Sequence, residues 1–335
     1  MDAKLEEKLS ITNTQLIWKA RNNIQNIIVE TPLISSPVLS DRMGAEVYLK
    51  LENLQDIGAF KVRGAANKII SLTEEKKQCG VATFSTGNHG LAVAYVARKL
   101  GIKATVCISS RVPLAKVDAI RRAGADIVII GESQDDAEKY CYELQEKHGM
   151  TVIKPFDDLE VIAGQGTIGL ELLEALPDLD AVIVPLSGGG LIAGVAIALK
   201  SVNPMIQVIG VSMEGASVMN ESIQAGKPVV LQEQDTLADS LLGGIGLNNE
   251  YTFDIVKNYV DDIILVSEDE IAQGMTFMVE HHRMVVEGAA AVGIAAIIQG
   301  KIQGRYKKVG TIITGNNIDF SVILEILQNY KREEW

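Results

Sequence analysis

The residues that could do chemistry gather in four short segments, three of which follow an apolar run. The first is Ser187-Gly-Gly-Gly190, placed between the run Ala181–Leu186 and a helical pattern opening at Leu191. Glycines let successive N–H groups turn toward one point, and a helix N-terminus adds unpaired donors and positive potential. Such a loop cradles a phosphate; the plainer reading is a tight turn that needs glycine for packing. Gly188-x-Gly190-x-x-Ala193 also fits the dinucleotide fingerprint, with Glu214 about twenty residues on. A nicotinamide-dependent oxidoreductase is therefore a rival on this motif alone. Against it, the next strand is expected to end at Ser212, leaving Glu214 past the tip, and the loop lies in mid-chain.

The second segment is Gly58-Ala-Phe-Lys61-Val-Arg-Gly64-Ala-Ala66. A lysine at a helix start among small and apolar residues is pushed toward its neutral amine, the form that attacks a carbonyl to make a Schiff base. A surface lysine on an amphipathic helix is the bland alternative, and Phe60 reads equally well as core. The third is Ser85-Thr-Gly-Asn-His-Gly90, whose hydroxyl, amide and N–H groups could hold a carboxylate. Ser85 could instead be only an N-cap, and His89, with no acidic or thiol neighbour in sequence, a capping or turn histidine. The fourth is the polar turn Thr314-Gly-Asn-Asn317 after the run Val309–Thr314. His281-His282-Arg283 is not spaced for a metal on one helix face and reads as a solvated helix end. Glu268-Asp-Glu270 suits a helix N-terminus. No Gly-x-Ser-x-Gly elbow supports serine hydrolysis.

Strands and helices must carry these segments. Strands are expected at Glu46–Leu51, Val81–Ser85, Ala104–Ser109, Asp126–Ile130 and Thr151–Lys154, then at Ala181–Leu186, Gln207–Ser212, Ile263–Val266 and Val309–Thr314. Helical patterns lie between most of them. This order predicts an α/β fold of parallel sheets covered by helices on both faces, in two lobes with a boundary near Pro155–Asp158. Val62, Ala65, Ala66, Ile69 and Ile70 form one apolar helical stripe, with Lys61 in the first turn and turned away from most of it. Pro113 marks a further helix start.

Composition narrows the setting. The 335 residues are 47% apolar and 22% charged, with a formal charge of −12, so nucleic acid and anionic membrane surfaces are poor partners. Aromatics at 5% against 30 glycines favour small-residue α/β layers over an aromatic-cored sandwich. Cys79, Cys107 and Cys141 form no metal or disulfide pattern and are expected to be buried thiols in a reducing cytosol. Met1–Lys8 lacks an apolar signal core, and no run approaches the ~20 apolar residues that span a bilayer, so a cytoplasmic protein is expected.

Taken together and in order, the motifs resemble the fold-type II pyridoxal-phosphate enzymes, closest to the threonine/serine dehydratase and serine racemase group. The shared pattern runs from Thr31-Pro32-Leu33 through Tyr48-Leu-Lys-Leu-Glu-Asn53, Phe60-Lys-Val-Arg-Gly-Ala65 and Ser85-Thr-Gly-Asn-His89. It continues through Ala163-Gly-Gln-Gly-Thr167, Ser187-Gly-Gly-Gly190 and Val286-Glu287 to Thr314-Gly-Asn-Asn317. The resemblance implies a two-lobed, tryptophan synthase β-like fold with open twisted parallel sheets. Residues 1–50 and 157–335 would form the large cofactor-binding lobe, and 51–156 the small one.

It also implies that Lys61 carries pyridoxal phosphate as a Schiff base with Phe60 beside the ring. Gly188, Gly189, Gly190 and Leu191 would bind the phosphate through N–H groups, with Ser187 adjoining. Asn88 would bond the ring hydroxyl and Thr314 would face the pyridine nitrogen. Ser85, Thr86, Asn88 and His89 would surround the substrate. The implied reaction is β-elimination from a small hydroxy-amino acid such as L-threonine or L-serine, with Lys61 as base, giving a 2-oxo acid and ammonia. A homodimer is implied as well.

Departures from the group's pattern are Ala59 and Ser187 for Ser and Gly, and Thr314-Gly-Asn-Asn317 for Ser-Gly-Gly-Asn. Thr86 supplies a hydroxyl where racemases carry Ser, so racemase side activity stays open. Ser212 after Gly210-Val211 replaces the usual metal-binding Glu, so no divalent-cation site is expected. Ala238-Asp-Ser-Leu-Leu-Gly-Gly-Ile-Gly246 is closer to the hydroxyectoine-utilisation dehydratases. No C-terminal regulatory domain is expected. A protein of this fold that only senses an amino acid is the non-enzymatic alternative.

Overall fold

The computed structural model describes residues 13–112, 114–302 and 304–329. Met1–Lys8 and the helix start expected at Pro113 lie outside them; the helix that follows runs Leu114–Ala123. Ten strands are described: β1 (Leu33–Ser35), β2 (Glu46–Lys50), β3 (Val81–Thr83), β4 (Ala104–Ile108), β5 (Asp126–Ile129), β6 (Thr151–Val152), β7 (Ala181–Pro185), β8 (Gln207–Met213), β9 (Asp262–Val266) and β10 (Lys308–Ile312). They form a six-stranded sheet ordered β1-β2-β10-β7-β8-β9 and a four-stranded sheet ordered β5-β4-β3-β6.

All pairings are parallel except β1 with β2. The nine expected strands are present, most of them a residue or two shorter. β1 was not expected: three residues between Pro32 and Pro37 are too short to show a period.

Both faces of each sheet are covered, as α/β layering requires. In β7, Ala181 and Ile183 pack on one side with the wholly buried helix Gly288–Ile298. Val182 and Val184 pack on the other with helices Leu159–Ala175 and Gly190–Val202. Those two helices cross closely. A Cβ on Gly194 would lie 2.2 Å from the Ile162 carbonyl oxygen, so only glycine allows the approach. Helix Glu268–Phe277 opens with a Ser267–Glu270 capping box, the role expected of its acidic first turn. Cys107 and Cys141 are buried, but Cys79 is exposed at the end of a short helix, contrary to expectation. No helix among the described residues is long and apolar enough to cross a membrane.

The lysine helix, Lys61–Ile70, is more enclosed than its stripe suggested. Val62, Ala65, Ala66 and Ile69 are buried, and so are Arg63, Gly64 and Asn67 on its other sides. A surface amphipathic helix is thereby excluded. Arg63 is fully buried and makes two-pronged pairs with two carboxylates: Glu52 at 2.8 and 2.8 Å, and Glu171 at 2.6 and 2.9 Å. Thr167 Oγ1 accepts from Arg63 at 3.1 Å. Lys50 completes the cluster, 2.5 Å from Glu171 and donating to the Thr31 carbonyl at 2.6 Å. Burial alone would raise the Glu52 carboxyl, but Arg63, Thr31 and Lys50 bring it below its ordinary value.

Two cations and two carboxylates thus cancel inside the protein while tying the lysine helix to β2 and to helix Leu159–Ala175. Arg63→Met leaves two buried carboxylates facing each other with Lys50 alone. Unfolding in urea should show a loss of about 3–5 kcal/mol; a loss below about 1 kcal/mol, typical of surface pairs, would show that the cluster does not anchor the helix.

Candidate active site

β2 runs directly into the turn Glu52–Leu54 and then to the lysine helix, while β10, paired alongside β2, delivers the segment after Ile312 to the same place. Asn53 N donates to Ile313 O at 2.9 Å, Phe60 N to Thr314 O at 3.0 Å and Asn316 N to Gly58 O at 3.0 Å. Ala59 forms a bridge with Gly315. Gly58 has φ +71°, and a Cβ there would lie 2.3 Å from Asn316 Oδ1, so this close seam requires glycine. Lys61 emerges from it partly buried, its Nζ donating to Pro155 O at 3.1 Å. Burial lowers its amine to about 8, opposed by the nearby Glu287 carboxylate.

Phe156, next to Pro155, forms the floor of the glycine loop. A Cβ on Gly188 would stand 2.4 Å from the Phe156 ring and one on Gly190 2.9 Å from its Cα. Gly189 has φ +88° and caps helix Gly190–Val202 without a side-chain hydrogen bond. The glycines are thus demanded by packing, and the same packing leaves the helix's first N–H groups open to an anion. Ser187 is half-buried beside them, and Leu191 is buried in the apolar layer behind.

Ser85 follows β3 but caps nothing: the next helix is Asn88–Lys99, with Gly87 at its N-cap. Ser85 and Thr86 are half-buried in the intervening turn. His89 is an interior residue, not a turn or capping histidine. Its Nε2 lies 2.9 Å from Ile153 O, and since a carbonyl only accepts, Nε2 carries the proton. Nδ1 is a bare acceptor, buried without a partner. Burial, then nearby Lys61, hold the ring's pKa down at about 3, so it stays neutral.

Asn88 Nδ2 lies 3.0 Å from both carboxylate oxygens of Glu287. Glu287 is buried; burial pushes its carboxyl up to about 7 against the Asn88 hydrogen bond, with Asp239 adding to the rise. Thr314 is buried with its Oγ1 unpartnered.

A hydroxyl lacking a partner, an amine kept near neutrality and an uncapped glycine-rich helix start fit pyridoxal phosphate, which combines a ring nitrogen, an aldehyde and a phosphate. The network joins these segments: Pro155–Phe156 link Lys61 to the glycine loop, and Glu287 links Lys61, Asn88 and the turn after β10. Thr86 shares no bond with the rest.

Glu287 was named in the sequence only within a motif, and Arg63 not for any role. A buried acid shows in sequence solely as one acidic residue before the long apolar run 288–298. His281 and His282 are not a solvated helix end. They are half-buried in a π-helical turn, Met278–His282, with ring centroids 4.4 and 6.0 Å from that of Phe277. Ser36 Oγ lies 3.0 Å from His282 Nε2. β8 continues to Met213, so Glu214 stands directly at the strand tip. The position of Glu214 therefore no longer speaks against a dinucleotide.

Comparison with known proteins decides between the cofactors. The profile described as pyridoxal-phosphate dependent enzyme matches residues 24–315. The chain is 43% identical over 311 residues to the L-threonine ammonia-lyase of Thermotoga maritima, covering 93% of this chain and 77% of that one. It is 41% identical over 317 residues to the L-threonine dehydratase catabolic TdcB of Staphylococcus aureus, covering 93% and 91%. Maize serine racemase superposes with a TM-score of 0.89 at 35% identity, covering 94% of this chain and 97% of that one. With a site that suits the cofactor and a match over most of its length, this chain belongs to the pyridoxal-phosphate-dependent enzyme family.

Proposed function

We propose that this protein is a pyridoxal-phosphate-dependent ammonia-lyase that removes water and then ammonia from a small β-hydroxy-amino acid such as L-threonine or L-serine. The observation that carries the reading is the Lys61 amine, lowered to about 8 on a buried helix that meets the glycine loop. The two bacterial relatives are named for this reaction on threonine.

Lys61 would hold the cofactor's aldehyde, and the N–H groups of Gly188, Gly189, Gly190 and Leu191 its phosphate, beside Ser187. Phe60 would flank the ring, Asn88 its hydroxyl and Thr314 its nitrogen. Bound pyridoxal phosphate supplies a ring that takes up the electron pair left at the substrate Cα. The free Lys61 amine takes the Cα proton, a task suited to a base that is substantially neutral near pH 8.

Ser85 and Thr86 offer hydroxyl donors to the substrate carboxylate. His89 offers it no charge: its free Nδ1 accepts, so it suits a substrate or water O–H. A neutral Thr314 hydroxyl does not keep a ring nitrogen protonated as a carboxylate would. With the cofactor bound, that would favour prompt departure of the β-hydroxyl once the Cα proton is taken. The unsaturated amine then hydrolyses to 2-oxo acid and ammonia.

We assign the four-stranded sheet to a small lobe, 51–156, and the six-stranded sheet to a large lobe, 1–50 with 157–335. We also place the protein in the cytoplasm, in keeping with its free thiols. A homodimer is proposed from helix Phe320–Asn329. Phe320, Leu324 and Leu327 lie at i, i+4 and i+7 and are 68%, 42% and 36% exposed, an apolar stripe left to solvent in one chain. Phe320→Asp with Leu324→Asp should yield a monomer by light scattering; an unchanged mass removes this helix from the interface.

Purified holoenzyme should release ammonia and 2-oxo acid from at least one of threonine, serine, 3-hydroxyaspartate and 3-hydroxy-2,4-diaminobutyrate. Lys61→Ala should lose the visible cofactor band and at least ~10³-fold in rate. Silence on the whole panel would leave the amino-acid sensor. Chiral analysis of unreacted serine tests the racemase reading, which the Thr86 hydroxyl and the likeness to maize serine racemase favour. Because the amine of the apoprotein becomes neutral as pH rises through about 8, its rate of cofactor uptake should climb through that value and then level off. A flat profile from pH 6 to 9 contradicts the assignment.

A further inference from the structure

An amide side chain can present either a donor or an acceptor to whatever lies before it, and Asn88 is held so that one choice remains. Its Nδ2 faces both oxygens of Glu287 at 3.0 Å, and a carboxylate accepts. Its Oδ1 accepts from Asn317 Nδ2 at 2.7 Å. Asn317 is fixed in turn, because the same nitrogen donates to Ile57 O at 2.8 Å. Turning the Asn88 amide over would set its oxygen against the Glu287 carboxylate and its NH2 against that of Asn317. One N–H directed between the two Glu287 oxygens can serve both, which leaves the second N–H available to another acceptor.

Glu287 is held firmly enough to impose this. Its backbone N–H donates to Gly315 O at 3.1 Å. A Cβ on Gly315 would come within 2.9 Å of its carboxylate, so the turn after β10 closes directly over it.

We propose that Glu287 is a positioning residue: through Asn88 it fixes the hydrogen-bond donor that meets the ring hydroxyl of pyridoxal phosphate. This rests on the cofactor-binding role given to Asn88 above. A donor stabilises the ring oxygen as an anion, whereas an inverted amide would repel it. Glu287 would act on the cofactor through the donor it holds, while its charge also bears on Lys61.

The test uses holoenzyme, with the absorption spectrum and the cofactor dissociation constant read beside kcat and KM. Glu287→Gln keeps the shape and an acceptor oxygen, and should retain a near-native spectrum. Glu287→Ala leaves the Asn88 amide held on its oxygen side alone, by Asn317, and should move the cofactor band to shorter wavelength. It should also weaken cofactor binding ~10-fold, as for one displaced hydrogen bond, and lower kcat with little change in KM. In an Asn88→Ala background, adding Glu287→Ala should cost much less in affinity than it does in the wild type. Additive losses in the double variant, or a wild-type spectrum and affinity in Glu287→Ala, would overturn the proposal. A wild-type protein that binds no pyridoxal phosphate would instead overturn the reading of the site, so the two failures are distinct.

Discussion

The buried pairing of Arg63 with Glu52 and Glu171 is the constraint on which the rest of the site depends. Arg63 lies two residues beyond Lys61, so whatever fixes the guanidinium fixes the helix turn that bears the amine. Its two forks engage carboxylates from the turn after β2 and from helix Leu159–Ala175, elements on different sides of the lysine helix. Burying four charges is costly, and apolar packing could supply comparable stability. Apolar contacts would not, however, set rotation about the helix axis as a two-pronged ion pair does. The cluster is also neutral overall. The amine's lowered pKa is set by burial and opposed by Glu287.

Strand order then decides what surrounds that amine. β10 is the last strand in sequence but lies between β2 and β7. The turn that follows it is thereby pressed against Gly58, Ala59 and Phe60, which follow β2 in the chain. β7 on its other side ends at the glycine loop. Three strand ends, far apart in sequence, open on one place, as ligand sites of open α/β sheets do at their carboxyl edges. Phe156 joins the arrangement from the segment after β6, lying under Gly188 and Gly190.

What was legible in the sequence follows from the range of the interactions concerned. The lysine, the glycine loop and nine strands showed because each rests on neighbouring residues: a periodic stripe, a run of glycines, an apolar run ending in a turn. β1 was missed because three residues give no period, and it exists only by pairing with β2. His89 read as a turn residue because its partner, the Ile153 carbonyl, is 64 residues away. Glu287 gave no local sign, since its partner Asn88 is 199 residues distant. His281 and His282 looked solvated because they stand together beside Arg283 with no metal-ligand spacing, yet Phe277 one turn earlier packs close to both rings. Motifs in order carried the family; only the contacts among them reveal the second layer of the site.

That second layer has an electrostatic logic. Burial favours neutral forms, raising Glu287 to about 7 and lowering Lys61 to about 8. Between these values the two together carry little net charge, one neutralising the other. The anion the site must hold therefore meets no unbalanced lysine. The segment Ser187-Gly-Gly-Gly190-Leu191 contains no cation, and what it offers a phosphate is N–H dipoles at a helix start. An arginine there would bind phosphate strongly, but it would also lower the nearby amine further and compete for Glu287. Holding the anion by backbone dipoles would leave Lys61 free to exchange protons near neutrality, and Glu287 free to hold Asn88.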